Sequence, residues 1–296
     1  MAWRTVLIEN PSKLSLSKNQ LIIKQDHLIS LPIEDIDTLI IDSYGTTLTS
    51  NLIDSLSANK VNVIICDAKH HPSSLILSYA QASRGAKIAR AQIAMSEPFR
   101  KQLWQINIKQ KIANQANVLE KFFSDDSGLR ELARVVRSDD AGNHEALAAR
   151  IYFSKLLEDA TRRQPTWYNS ALNYSYAIVR GSLARSVASH GLIASVGINH
   201  HSELNQFNLV DDLIECFRPI VDDFVLSNFP LMQINEAPRH LRSEDRHTLI
   251  NINNQYGIIL DKRYKIKDMT NVTVESFIKA ILNKNATELL LPQPLL

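Results

Sequence analysis

The sequence predicts an α+β fold: a β-rich domain over residues 1–80, a basic junction at 81–98 and a larger, all-helical domain over 99–296. Three observations predict it. Short apolar runs separated by turn residues fill the first 80 positions. Helix breakers then almost vanish from Gln81 to Phe123, where Pro98 is the only proline. Charge changes at the same place. Residues 81–137 hold 11 Lys/Arg against 5 Asp/Glu, whereas residues 1–80 hold 6 against 8.

The elements follow in order. Arg4–Asn10 reads as a short strand. Leu14 and Leu16 are divided from Leu21, Ile22 and Ile23 by Ser-Lys-Asn-Gln, a hairpin signal with Asn19 in the turn. His27–Leu31 and Asp37–Asp42 are further strands, the second carrying the buried-type run TLII. Thr49–Asn59 reads as a helix, with Leu52, Ile53 and Leu56 on one side. Val61–Cys66 and Ser74–Tyr79 return to strand. In the second half Pro98 marks a helix start, and Leu103, Ile106, Ile112 and Leu119 recur at helical spacing. Asn143 has the residue type of an N-cap for the helix His144–Arg163, whose apolar stripe is Leu147, Ile151, Phe153, Leu156 and Leu157. Helices follow over Ser170–Gly191, Leu209–Leu226 with an interruption at Pro219, and Val274–Leu282. An extended or hairpin element is expected around 251–266.

Composition excludes several classes. The 296 residues are 45% hydrophobic and 22% charged, ordinary for a folded chain. No apolar run reaches the ~18–20 residues of a membrane span. The start MAWRTVLIEN carries Arg4 and Glu9 and no signal-peptide core, so a soluble, cytoplasmic protein without membrane partners is expected. Cys66 and Cys216 form no metal-binding pair. No phosphate-binding glycine motif occurs among eight glycines.

Two segments carry candidate chemistry. Glu145 lies in the first turn of its helix, where a carboxylate is favourable against the helix dipole for structural reasons alone. The segment GINHHSELNQFNLVDDLIECFRP (197–219) places His200 and His201 in a loop ahead of Asp211, Asp212 and Glu215. On a continuous helix these acids share a face and repel, so a cation or a basic partner would steady them; Arg218, three residues after Glu215, can do so alone. Pro219 cannot donate to the carbonyl of Glu215, so the helix is predicted to kink or begin anew there. Two carboxylates and an imidazole without thiolates suit Mg²⁺ or Mn²⁺ and phosphoryl-transfer chemistry. Arg84, Lys87 and Arg90 lie three apart, a basic helix face that is either solvated or in contact with DNA phosphates.

Longer strings around these residues resemble a known family. NHEALAARIYF, YNSALNYSYAIVRGSLARSV and GINHHSELNQFNLVDDLIECFRPIVD occur in the order found in the CRISPR-associated spacer-acquisition integrases. MAWRTV and QLWQINIKQKIANQ are similar to the subfamily found with type II systems. The resemblance implies an N-terminal β-sandwich that forms a homodimer and a helical domain that holds Mg²⁺ or Mn²⁺. It carries over Glu145, His200 and Glu215 as metal ligands and catalytic residues, with Asp212 and His201 nearby in lesser roles. Cys216 stands where proline or an acidic residue is the family expectation, and a buried inert thiol suits it. Implied partners are double-stranded DNA fragments, CRISPR repeat DNA, a small companion adaptation protein and the type II effector nuclease. The implied reaction joins a fragment's 3′-hydroxyl end to the repeat. A nuclease or junction resolvase that only hydrolyses, and an idle DNA-organising scaffold, remain alternatives.

Overall fold

The computed structural model describes residues 2–78, 82, 84–157, 162, 164–229 and 241–295. The chain divides into two units, Met1–Gln81 and Ala82–Leu296. The first contains β1 (Arg4–Ile8), β2 (Lys13–Ser17), β3 (Gln20–Lys24), β4 (Leu28–Pro32), β5 (Ile36–Ile41), β6 (Thr47–Leu48), α1 (Ser50–Ala58), β7 (Asn62–Cys66) and β8 (Pro72–Ile76). The β2–β3 hairpin pairs Ser17 with Gln20. Lys18 and Asn19 turn it at φ 48° and 59°, the left-handed conformation that a two-residue hairpin loop requires. The strand expected over Ser74–Tyr79 is displaced to Pro72–Ile76, and Tyr79 lies outside the described residues.

These strands form two four-stranded sheets, ordered β1-β5-β7-β8 and β4-β3-β2-β6. Within the first, β5 runs parallel to both β1 and β7. All six residues of β5 are buried, the polar Asp37 and Thr38 together with Ile36, Leu39, Ile40 and Ile41, as befits a central parallel strand. Leu14, Leu21 and Ile23 from one sheet, Ile8, Leu39 and Val63 from the other, and Leu52 and Leu56 of α1 build one shared core.

The second unit contains α2 (Gly85–Ile93), α3 (Glu97–Phe123), α4 (Leu129–Val135), α5 (His144–Leu157), α6 (Trp167–Ser189), α7 (Asn208–Ile214), α8 (Arg218–Asn228), α9 (Ser243–Leu249) and α10 (Ile266–Asn283). It is not all-helical. The strands β9 (Tyr256–Ile259), β10 (Lys262–Lys265) and β11 (Gln293–Pro294) form a small antiparallel sheet, because the expected 251–266 hairpin captures a short strand from near the C-terminus. Among the described residues no helix is long and apolar enough to cross a membrane.

Helix α3 is the axis of this unit. Ser96 stands extended ahead of it and Pro98 occupies its first turn, where a missing N–H costs no helical bond. It packs against α4, α5 and α8, so its buried residues run from Phe99 to Leu119 on more than one face. Helix α10 begins eight residues before the expected Val274. Its local signal is weak, but Ile266, Met269, Thr273, Val274 and Phe277 are all buried, and tertiary packing outweighs propensity. The part of the α5 helix expected beyond Leu157 falls on 158–163, of which only 162 is described.

Candidate metal centre

Glu145 reaches the interior because of how α5 begins. The Asp140 carboxylate accepts from the backbone N–H groups of His144 at 2.8 Å and Glu145 at 2.9 Å. This is the cap expected of Asn143, which instead turns the chain at φ 51°. The buried residues of α5 are Ala148, Tyr152, Leu156 and Leu157, so the expected stripe holds at Leu156 and Leu157, whereas Leu147 faces outward and Ala148 and Tyr152 take the inner positions of the first turns. Glu145 precedes Ala148 and Tyr152 by three and seven residues and shares their side of the helix.

A row of side chains on α3 meets it. Trp104, Asn107, Lys111 and Asn114 recur at helical spacing and are all buried. The Lys111 ammonium lies 2.6 Å from Glu145 Oε1 and 2.6 Å from Glu215 Oε2. On either side of it, Asn107 donates to the Asp212 carbonyl at 2.6 Å and Asn114 to the Cys216 carbonyl at 2.8 Å. These two amides hold the chain where α7 ends and α8 begins anew, with Pro219 in the first turn of α8 as predicted. Glu215 sits in that break. Its other oxygen, Oε1, accepts from Arg218 Nε at 2.8 Å. Burial alone would raise the Glu215 carboxyl; Lys111 and Arg218 outweigh it and hold it at about 2. Burial also opposes charge on Lys111, yet the two glutamates push its ammonium up.

His200 enters from the loop before α7. Asp212, fully buried, accepts from the backbone N–H groups of Ile198, Asn199 and His200 and from His200 Nδ1 at 2.7 Å. Gly197 permits this gathering: a Cβ there would lie 2.4 Å from the His200 carbonyl oxygen and 2.7 Å from Asp212 Oδ2. The bond to Asp212 raises the His200 imidazole above its ordinary value, against partial burial. With Nδ1 engaged, Nε2 is left without a partner among the described residues, the orientation found in carboxylate-supported ligand histidines. The ring edge packs on Trp104 at 5.9 Å between centroids. Helix α2 fixes the start of this loop, because the buried Gln92 side chain bonds Ile193 N, Ile193 O and Val196 O.

The three clustered acids do not share one helix face. Asp211 pairs with Arg180 of α6 at 2.6 Å, Asp212 turns into the histidine loop, and Glu215 turns to Lys111. The expected mutual repulsion is replaced by three separate sets of donors, and Arg218 shares Glu215 rather than neutralising it alone. His201 is exposed and lines a polar cleft of about 290 Å³ with His200, Arg100 and Glu203. Arg84, Lys87 and Arg90 are exposed at and along α2. Cys216 is a buried free thiol, with its pKa pushed up by burial.

Lys111 is the residue that sequence reasoning missed. Its signal was one lysine in the spacing of a buried row, within WQINIKQKIANQ. Among the described residues no three His, Cys, Asp or Glu side chains are gathered closely enough to hold a metal ion unaided. The structure joins Glu145 to Glu215 through Lys111, and His200 to both through α3 and Asp212.

The sequence and the fold have counterparts in known proteins. A CRISPR-associated endonuclease Cas1 from Neisseria meningitidis serogroup C (strain 8013) is 38% identical over 297 residues, 99% of this chain and 97% of the relative. A CAS1 protein from Thermotoga maritima superposes with a TM-score of 0.78 at 14% identity, over 94% of this chain and 97% of that one. A casposase bound to its integration product superposes at 0.75 and 18% identity, over 95% and 91%. The family profile described as CRISPR associated protein Cas1 matches residues 5–254. With that match spanning most of the sequence, the chain belongs to the CRISPR-associated Cas1 family.

Proposed function

We propose that the protein is a metal-dependent DNA integrase of CRISPR adaptation, joining 3′-hydroxyl ends of captured DNA to the CRISPR repeat in a type II system. The observation that carries this reading is the meeting of Glu145 and Glu215, from helix segments far apart in sequence, at one buried cation. A pair of carboxylates gathered around a cation, with an imidazole nitrogen left unpaired nearby, fits Mg²⁺ or Mn²⁺ held by Glu145, Glu215 and His200. Bound there, the ion would supply positive charge to a phosphoryl oxygen and activate an attacking oxygen.

The chain's own residues prepare that chemistry. Lys111 and Arg218 keep Glu215 ionised, Asp212 turns Nε2 of His200 outward, and Trp104 packs against the ring. The exposed Arg84, Lys87 and Arg90 would hold DNA phosphates without reading sequence. Replacing all three should reduce the log–log salt slope of duplex binding by ~2–3; an unchanged slope assigns them elsewhere. Residues 1–80 would form a homodimer, and the assembly would take a small companion adaptation protein and the effector nuclease as partners.

The test is purified protein with its companion, a 3′-hydroxyl DNA fragment and a repeat-bearing plasmid, with and without Mn²⁺. Joined DNA should form only with the metal, and Glu145→Ala and His200→Ala should abolish it while duplex binding survives. Undiminished joining by either variant defeats the assignment. Cut but unjoined DNA would make the protein a hydrolysing nuclease instead.

A further inference from the structure

Resting on the reading of Glu145 and Glu215 as metal ligands, we propose that Lys111 is a built-in competitor of the metal: its ammonium occupies the cation position between the two carboxylates and must leave for a divalent ion to take their oxygens. The first support is an account of oxygens. Glu215 Oε2 and Glu145 Oε1 are held by Lys111, and Glu215 Oε1 by Arg218. Of the four carboxylate oxygens, only Glu145 Oε2 has no donor among the described residues. Glu215 therefore offers no oxygen that is not already held by a cation.

The second support is charge. Two carboxylates and two cations already balance, so an added divalent ion meets Lys111 and Arg218 as like charges at contact range. Of the two cations, Lys111 is the one that bridges both glutamates. It is a compact, strongly hydrated ammonium on a flexible stem, which suits it to leave. Asn107 and Asn114 hold the neighbouring backbone independently of it, so the ammonium can swing away while α3 and the α7–α8 break stay in place. The metal-free protein thereby keeps its ligands gathered, at the cost of metal affinity.

A bystander Lys111 that stays put beside the ion predicts the opposite sign, because removing it would scatter the carboxylates and weaken binding. The deciding experiment measures Mn²⁺ binding by the full chain at pH 8, from loss of the free-ion electron paramagnetic resonance signal, together with thermal unfolding with and without Mn²⁺. Lys111→Met should melt at a lower temperature without metal, bind Mn²⁺ about tenfold more tightly than wild type, and gain more in melting temperature from the ion. Lys111→Arg should bind Mn²⁺ more weakly, since a guanidinium fork grips two carboxylates with more donors than an ammonium.

Lys111→Met binding no more tightly than wild type overturns the proposal. If that variant does not fold even in Mn²⁺, Lys111→Arg decides, and unchanged or tighter binding there overturns it. Glu215→Gln separates the two levels. If it binds Mn²⁺ like wild type, the metal centre itself is misassigned. If it loses Mn²⁺ while Lys111→Met gains nothing, only the role of Lys111 falls.

Discussion

Glu215 and Asp222 lie seven residues apart on either side of the helix start at Arg218, both buried, and their carboxyls move in opposite directions. Glu215 meets two cations and is held at about 2. Asp222 is raised by burial to about 6; hydroxyls of Tyr152 and Tyr176 bond it and only partly offset that burial. Tyr152 comes from α5 and Tyr176 from α6, so Asp222 ties three helices together behind the candidate centre. Burial therefore does not decide ionisation here. Direct contact with cations does: Lys111 and Arg218 touch Glu215, whereas Asp222 is bonded by tyrosine hydroxyls and feels Arg162 and Arg218 less than its burial.

The sharpest way to break this comparison is Glu215→Ala. Removing one partner of a buried pair leaves Arg218 and part of the Lys111 charge uncompensated, which should cost about 3–5 kcal/mol in metal-free buffer by denaturant unfolding. Sequence spacing alone argues for the opposite sign, a gain from relieved repulsion by Asp211 and Asp212. An unchanged or raised stability would restore that reading.

A second variant sharpens the other side. Asp222 has its folded pKa raised above the ordinary 3.8 to about 6, so it penalises folding progressively as pH rises between those values. Glu215 has its folded pKa lowered from 4.5, so its stabilisation is fully present above about 4.5 and is lost only as pH falls toward 2. Between pH 5 and 7.5 Glu215 is thus constant and Asp222 is not. Asp222→Asn should gain ~1.4 kcal/mol on wild type across that window, measured by urea unfolding at both pH values. A difference independent of pH would mean that Asp222 is as fully ionised as Glu215.

The smallest effect concerns His200. Asp212 raises His200 above 6.5, chiefly through the bond to Nδ1. In Asp212→Asn the imidazole proton resonance of His200 should titrate at lower pH than in wild type. A midpoint that stays where it was would show that Asp212 only gathers the loop amides.

The order of elements was readable in the sequence wherever neighbours along the chain decide it. The β2–β3 turn at Lys18 and Asn19, the start of α3 at Pro98 and the restart of α8 at Pro219 each follow from one or two residues that limit the backbone. The capping of α5 was misplaced by three positions, because Asn143 has the right chemistry but Asp140 has the right reach. The parallel pairing of β1, β5 and β7 left no local mark, since a parallel neighbour comes from a distant part of the chain.

The same division runs through the centre. By itself the sequence determined that Glu145 opens a helix, that His200 sits in a loop behind a glycine, and that Glu215 lies at a helix break; each is a property of residues within four positions. Only the tertiary structure decided what these groups face. Lys111 reaches Glu145 across 34 residues and Asn107 reaches the Asp212 carbonyl across 105. The spacing of Asp211, Asp212 and Glu215 suggested a shared acidic face, but spacing fixes direction only along an unbroken helix. Once the chain breaks at Glu215, the energy of its buried carboxylate depends on which cations are packed against it, and beside the neighbouring Arg218 the second one, Lys111, is supplied by α3 from more than a hundred residues away.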